Sequence, residues 1–225
     1  MQVYPDSEVY TNFYTDMTRI IRNIKRKISA SEWAHREFLS EMKDMKSILD
    51  LGCGYNSVVR LIKKDINKVG VDSFENYIEQ SKKNGIHNEY HNQNILSLKN
   101  FENDSFDIVL MWDVLEHFTK EDGLNILSEI ERIAKKKIII FTPNGYVPQN
   151  EYDGNSAQEH KSGWNVDDFK IMNFRIRGME GWMGVNRNAT SLPSRMNRYI
   201  MLAVSQYIVY IKPRFAFALF CVKDL

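Results

Sequence analysis

The stretch over residues 47–57 constrains the fold more than any other part of the sequence. An apolar run leads into an acid, Asp50, and two glycines, Gly52 and Gly54, and a helical pattern follows at once. Glycine lets a backbone turn sharply and lets a ligand lie against it. The free N–H groups at the start of a helix bind polar or anionic ligands. The stretch therefore predicts a strand, a tight ligand-binding turn and a helix over residues 58–64.

The turn fits two kinds of nucleotide-derived ligand. A dinucleotide fingerprint has three glycines, Gly-x-Gly-x-x-Gly, and Ser57 stands here in place of the third. A second short strand over residues 67–72 ends in Asp72. A carboxylate at that point accepts hydrogen bonds from both hydroxyls of a ribose. The alternative is a surface acid that opens the helix over residues 73–83, and the preceding turn favours ribose binding.

Strand and helix patterns alternate through the middle of the chain. Apolar runs that predict strands cover residues 47–51, 67–72, 105–113 and 138–142. The helix before the last run starts with a capping box at Thr119 and ends with the lysines at 135–137. This alternation predicts an α/β fold, a doubly wound and mostly parallel sheet with helices on both faces. Ligands bind such sheets at the carboxyl ends of the strands, where the motifs lie.

Two motifs give the chain a family resemblance. The sequence Asp-Leu-Gly-Cys-Gly at 50–54 resembles motif I of the class I S-adenosylmethionine (AdoMet) methyltransferases. Phe-Asp-Ile-Val at 106–109, followed by Asp-Val-Leu-Glu-His at 113–117, is similar to motif IV of small-molecule O-methyltransferases of the ubiquinone-biosynthesis type. The resemblance covers residues 46–145. It implies a seven-stranded Rossmann-like methyltransferase fold, AdoMet as cofactor, and methylation of a small-molecule or glycan acceptor, chiefly at oxygen.

The same resemblance implies which residues bind the cofactor. Asn94 stands where the family usually has Asp, and its side-chain oxygen can accept the same hydrogen bond from the adenine amino group. Ile95 is expected to pack on the adenine ring. The full set of predicted cofactor residues is Asp50, Gly52, Cys53, Gly54, Asp72, Ser73, Asn94, Ile95, Trp112 and Asp113.

Three residues are candidates for a general base. The sulfonium already activates the methyl group, so the enzyme must position the acceptor and, for a hydroxyl, remove its proton. His117 is the first candidate, and the alternative is that Glu116 and His117 hold the loop. His160 and Tyr146 follow, and His160 is equally explained as an ordinary loop histidine. No metal-ligand spacing stands out, so no metal is expected.

The length of 225 residues predicts one domain over residues 1–225. Residues 1–45 form a helical cap, 46–145 the AdoMet-binding core, and 146–225 the acceptor-side region with the last strands. Ser31 is a plausible N-cap for the second helix of the cap. The first helix of the cap is basic, and a core-facing helix with its basic face in water explains it better than peripheral contact with a membrane. The aromatic cluster before this helix is either a lid over the ligand or the packing edge of the helix.

The C-terminal region adds an apolar helix and a strand. The helix over residues 196–211 is too short to span a bilayer, so it is buried in the fold, in a homodimer or against lipid. Residues 166–174 predict another helix, 175–177 a strand, and the glycines after them a flexible turn. The run over 214–222 predicts the last strand, which in this family lies antiparallel beside the fifth.

The net charge and the cysteine count limit the expected partners and location of the protein. The net charge of +1 gives no global field for nucleic acid, so no nucleic-acid partner is expected. Two cysteines make no disulfide framework, and no signal peptide or spanning run is recognised, so a cytoplasmic location is expected. Two other functions stay open: a dinucleotide-dependent oxidoreductase, which the missing third glycine disfavours, and an AdoMet-binding regulatory module that docks through the C-terminal helix.

Overall fold

The computed structural model describes residues 30–151, 154–183 and 195–225. Seven strands of the described residues form one sheet in the order β3-β2-β1-β4-β5-β7-β6. The strands are β1 (Ser47–Leu51), β2 (Asn67–Asp72), β3 (Glu89–Asn92), β4 (Phe106–Trp112), β5 (Ala134–Pro143), β6 (Arg175–Trp182) and β7 (Ala216–Asp224). The helices are α1 (Ala30–Glu41), α2 (Glu75–Lys83), α3 (Lys120–Ile133), α4 (Val166–Ile171) and α5 (Arg195–Ile211).

The first five strands run parallel, and β7 inserts antiparallel between β5 and β6. This confirms the predicted α/β class with a mostly parallel seven-stranded sheet, and the predicted place of the last strand. The central strands β1 and β4 are buried on both faces, which explains their nearly continuous apolar sequences.

Two apolar cores lie on opposite faces of the sheet. Leu49 and Leu51 of β1 join the core that contains the apolar face of α3, whereas Ile48 joins the core beneath α1. Side chains of a strand alternate between faces, so one strand contributes to both cores. The helices on both faces were predicted, and so was Thr119 as the N-cap of α3.

The prediction of a helix over residues 58–64 is wrong. The chain forms only a short 3-10 helix, Val58–Leu61, and Ile62 is already extended. Two adjacent β-branched residues, Val58 and Val59, disfavour a longer helix because their side chains lose rotamer freedom. Ser57 caps the short helix by accepting the N–H of Val59 at 3.1 Å.

Two helix ends also differ from prediction. The lysines at 135–137 do not end α3, because α3 ends at Ile133 and β5 begins at the next residue. There Lys136 pairs with Asp107 of the neighbouring strand at 3.0 Å. Helix α4 ends at Ile171 rather than at 174, because Asn173 takes a left-handed conformation with φ 63°.

The turn predicted at the late glycines is a strand. Gly178 and Gly181 lie within β6, and Gly184 lies outside the described residues. A Cβ on Gly178 would stand 2.1 Å from the carbonyl oxygen of Val209, so glycine is needed where α5 crosses the strand. Gly181 has φ +69° at a register shift between β6 and β7.

Helix α5 buries one face and exposes the other. Its buried Gln206 accepts the N–H of Gly181 and donates to the carbonyl of Gly178, both at 2.9 Å. Over residues 201–211, whose side chains the structure describes, the exposed apolar side chains are Met201, Val204, Tyr207, Ile208 and Ile211. Burial within the fold therefore covers only half of the helix, and the dimer and lipid roles stay predictions. Within the described ranges, no helix combines the length and apolar character needed to cross a bilayer.

Some predictions concern the N-terminal cap. The basic helix and the aromatic cluster predicted before residue 30 lie outside the described residues. Ser31 lies inside α1 rather than at its N-cap, since the described part of the helix begins at Ala30. The division of residues 1–225 into a cap, a core and an acceptor-side region stays a prediction.

Candidate active site

A cleft lies over the carboxyl ends of β1, β2 and β4. It consists of two neighbouring cavities of about 520 and 960 Å³ of empty volume. Both cavities are lined by Gly52, Gly54, Asp113 and Gln158. Open α/β sheets bind ligands at this edge.

The glycine turn forms the floor between the two cavities. Gly52 and Gly54 have φ of +69° and +54°, which favour glycine. A Cβ on Gly52 would meet the side chain of Val114 at 2.5 Å, whereas one on Gly54 would meet nothing within 4 Å. Gly54 therefore presents bare backbone to the cleft.

The amides of this turn are bonded within the protein. The N–H groups of Gly52 and Cys53 donate to the carbonyl of Val71, at 2.8 and 3.0 Å, and that of Gly54 donates to Asp72 at 2.9 Å. These three amides of the turn are therefore not free to bind a ligand, and the expectation of free N–H groups at the start of the following helix stays a prediction. The turn is instead fixed by β2, its neighbour in the sheet.

Asp72 lies at the end of β2 and lines the smaller cavity. One carboxylate oxygen accepts the N–H of Gly54, and the other accepts that of Phe74 at 2.8 Å. Burial raises the pKa of Asp72, and these two N–H groups partly offset that rise. A carboxylate offers about four lone-pair positions, so two are left for ligand hydroxyls.

Asp50 lines the larger cavity, and its carboxylate is bonded to side chains. Its carboxylate accepts the hydroxyl of Ser57 at 2.5 Å and Nε2–H of His87 at 2.9 Å. The sequence analysis missed His87, whose side chain is fully buried. The available signal was Gly70 inside β2, because a Cβ there would lie 3.1 Å from the His87 ring.

The predicted adenine-side residues line the smaller cavity together. Ser73, Asn94 and Ile95 stand with Asp72 on its wall. The side-chain oxygen of Asn94 accepts the N–H of Leu96 at 2.9 Å, which fixes the orientation of the amide. Ile95 is buried and presents an apolar surface.

The larger cavity is lined by Cys53 and Trp112. The Trp112 ring stacks on Phe141, with ring centroids 4.4 Å apart and planes 14° apart. The Cys53 thiol is buried, and burial together with the carboxylates of Asp50 and Asp72 raises its pKa. The thiol is therefore protonated and unreactive at neutral pH.

Asp113 is shared by the two cavities. It has φ 53°, and its N–H donates to Phe141 of β5 at 2.8 Å. Its side chain is accessible from the cleft. Loss of hydration among the surrounding protein atoms raises the pKa of Asp113 most, and repulsion by the nearby Glu116 carboxylate raises it further. A non-glycine residue in this conformation is strained, and such strain is concentrated at functional sites.

His117 lines the smaller cavity beside Asp113. Its Nδ1–H donates to the carbonyl of Glu159 at 3.2 Å, so Nε2 carries the lone pair in the neutral ring. Burial lowers the pKa of His117, which keeps the ring neutral at pH 7. The His160 ring packs edge to face on the His117 ring, with centroids 4.7 Å apart, and its Nδ1–H donates to the carbonyl of Val147 at 2.7 Å.

Glu116 lies beside the two imidazoles and was named in the sequence analysis only as a loop anchor. Its carboxylate accepts the hydroxyl of Thr142 at 3.0 Å, and burial raises its pKa to about 7. Its backbone carbonyl accepts the N–H groups of Lys161 and Ser162, which are the bonds that loop anchoring requires.

Tyr146 is not brought to the cleft. Its side chain is exposed, and its hydroxyl donates to the carbonyl of His160 at 3.3 Å. The sequence analysis missed Asn155 and Gln158, which extend the cleft wall from a short 3-10 helix, Ser156–Gln158. Neither residue belongs to a recognisable motif, and their loop is held by bonds to Gln149 and to the segment at Glu116 and His117.

The fold, the glycine turn and the acid that ends β2 define a class I AdoMet-dependent methyltransferase. Residues 49–141 match a family model described as a methyltransferase domain. The chain is also 30% identical over 169 residues to an uncharacterised protein of Methanocaldococcus jannaschii, covering 74% of this chain and 68% of that protein. The chain belongs to the class I AdoMet-dependent methyltransferase family, and its cofactor is AdoMet.

Solved structures share the fold at low sequence identity. An AdoMet-dependent methyltransferase from Archaeoglobus fulgidus superposes with a TM-score of 0.59 at 19% identity, over 91% of this chain and 99% of that one. Magnesium protoporphyrin IX methyltransferase from Synechocystis PCC 6803 gives 0.52 at 14% identity, over 89% and 82%. A Haloferax volcanii methyltransferase in complex with the Trm112 activator gives 0.52 at 16%, over 87% and 94%.

Proposed function

We propose that this methyltransferase transfers the methyl group of AdoMet to a hydroxyl oxygen of a small-molecule or glycan acceptor. The observation that carries the proposal is the neutral imidazole of His117 on the cleft wall beside Asp113. A hydroxyl must lose its proton as the oxygen attacks, and a positioned base supplies about 10²–10⁴-fold in rate. An imidazole with a lowered pKa is unprotonated at pH 7 and can receive that proton.

The cofactor is proposed to lie across both cavities. Asp72 accepts the ribose hydroxyls through its two remaining lone-pair positions, and Asn94 and Ile95 hold the adenine. The methionine end then lies over the bare backbone at Gly54, in the larger cavity. This orientation brings the sulfonium toward the shared wall at the end of β4. The methyl group therefore points to the side of the cleft where His117 lies.

Cofactor binding is tested by thermal unfolding with AdoMet and with its demethylated product. A ligand at 100 times its Kd stabilises the folded state by about 2.7 kcal/mol. For a protein of this length that corresponds to a rise of about 5–11 °C in Tm. We expect Asp72→Ala to abolish the rise, and the exposed Asp65→Ala to keep it. Absence of any rise in the wild-type protein at millimolar ligand would contradict the proposal, as would tight NADH binding in a fluorescence titration.

The acceptor is tested with methyl-labelled AdoMet and three sets of acceptors: hydroxylated small molecules and sugars, amines, and carboxylates. We expect label transfer to hydroxyl compounds, and a loss of about 10²-fold or more in kcat for His117→Ala with its cofactor-induced Tm rise intact. Transfer only to amines or carboxylates would refute the oxygen assignment without affecting the cofactor site.

A further inference from the structure

We propose that Glu116, His117 and His160 bind a divalent transition-metal ion in the wall of the cleft. Each of these residues brings one ligand atom within 4.8 Å of the other two, and all three side chains are buried. The two histidines stand 43 positions apart in the sequence, which is why no metal-ligand spacing is visible there.

The two imidazoles are oriented as metal ligands are. In each ring Nδ1 donates to a backbone carbonyl, that of Glu159 for His117 and that of Val147 for His160. Metal-binding histidines almost always donate their second ring N–H to a carbonyl, carboxylate or water. This fixes the tautomer, so Nε2 of each ring holds a lone pair. The bonds also hold the rings 4.7 Å apart before any ion arrives.

The third ligand, Glu116, is also held by a hydrogen bond, and it has no cation beside it among the described ion pairs. The Glu116 carboxylate accepts the hydroxyl of Thr142 at 3.0 Å, which leaves its other oxygen for an ion. Among the described residues, no lysine or arginine forms an ion pair with Glu116. A buried carboxylate without a cation is costly, and a divalent ion would supply the missing positive charge.

The donor set selects the kind of ion. Two imidazole nitrogens and one carboxylate suit zinc and its first-row neighbours, whereas calcium and magnesium prefer oxygen ligands throughout. Ligands at about 2.1 Å from a tetrahedral ion lie about 3.4 Å apart, so separations of up to 4.8 Å need a closure of at most about 1.4 Å. Three protein ligands leave at least one position open, as in catalytic zinc sites.

The open position is expected to face the cleft, because His117 lines the smaller cavity while Glu116 and His160 lie behind it. This part of the inference rests on the proposed function. The acceptor hydroxyl binds the ion through oxygen, its pKa falls, and its proton leaves to water. The oxygen then forms a bond to the methyl carbon as the carbon–sulfur bond breaks, and sulfur keeps the electron pair. Once the Nε2 lone pair of His117 binds the ion it can no longer receive a proton, so in the metal-bound protein the ion activates the hydroxyl in place of the imidazole.

The test uses the tag-free full chain, treated with a chelator and then titrated with Co²⁺ and Zn²⁺. We expect one ion per chain, a visible Co²⁺ absorption band of four- or five-coordinate type, and displacement of Co²⁺ by Zn²⁺. His160→Ala and Glu116→Gln should each weaken binding at least tenfold and remove the band. His91→Ala is the matched control, since His91 pairs with Glu89 at the surface and should leave binding unchanged.

Two readouts keep metal binding separate from folding and from the proposed function. The Tm rise with demethylated cofactor reports folding of each variant, and Asp72→Ala should lose that rise while it still binds Co²⁺. Absence of the Co²⁺ band in the folded wild-type protein would overturn the inference, whether or not the cofactor binds. Retention of full binding by folded His160→Ala would also overturn it.

Discussion

Two histidine–carboxylate pairs of equal length provide a test of how burial determines the value of an interaction. His87 contacts Asp50 and His91 contacts Glu89, each with 2.9 Å between Nε2 and a carboxylate oxygen. The first pair has side-chain exposures of 0% and 2%, and the second has 30% and 60%. The pairs thus differ chiefly in their access to water.

Removing the imidazole should therefore have unequal effects. His87→Ala leaves a buried carboxylate short of a partner, which costs about 3–5 kcal/mol in comparable buried pairs. The remaining bond from Ser57 does not replace the lost one. His91→Ala leaves Glu89 in water, where exposed pairs contribute about 0–1 kcal/mol.

The assay is urea unfolding followed by tryptophan fluorescence. With a slope of about 2 kcal/mol per M, His87→Ala should lower the midpoint by about 1.5–2.5 M and His91→Ala by about 0.5 M or less. Asp50→Asn introduced into the His87→Ala protein should restore part of the loss, because the buried charge is then absent. Equal shifts for the two histidine variants, or a double variant as unstable as the sum of its parts, would refute the reasoning.

Two further predictions follow from close packing and from burial. Gly178→Ala should lower the free energy of unfolding by about 1–3 kcal/mol or more, measured by the same urea titration, since its Cβ would meet the backbone of Val209 at 2.1 Å. Cys53 and Cys221 should both resist a thiol-specific reagent at pH 8 in the folded protein and react in guanidinium, because burial raises the pKa of both thiols. Rapid labelling of either cysteine in the native state would contradict the buried placement.

The parts of the fold that could be predicted are those with a strong local pattern. The strands β1 and β4 are apolar along their length because both of their faces are covered. Asp50 lies near the end of β1 and Asp72 ends β2, so their position near one edge of the sheet was visible in the sequence. The apolar stripe of α5 likewise marked the helix correctly.

The parts that could not be predicted depend on contacts between distant residues. Asp50 and His87 are 37 positions apart, and no local pattern links them. The cluster of Glu116, His117 and His160 is assembled only when the loop after β5 folds back, where the N–H groups of Lys161 and Ser162 meet the Glu116 carbonyl. Propensity and periodicity describe residues that are close in sequence, so they do not predict contacts between residues this far apart.

The two acids around the turn show why a motif alone does not assign roles. As sequence they are equivalent: each lies at or near the carboxyl end of a parallel strand. In the structure Asp50 lines the larger cavity and accepts from two side chains through one carboxylate oxygen, whereas Asp72 lines the smaller cavity and accepts from backbone N–H groups. The first arrangement ties β1 to Ser57 and His87, and the second leaves lone pairs of Asp72 for ligand hydroxyls. Both carboxylates make these hydrogen bonds before a ligand binds, so the turn is already held in place. Little conformational entropy should therefore be lost there when a cofactor binds.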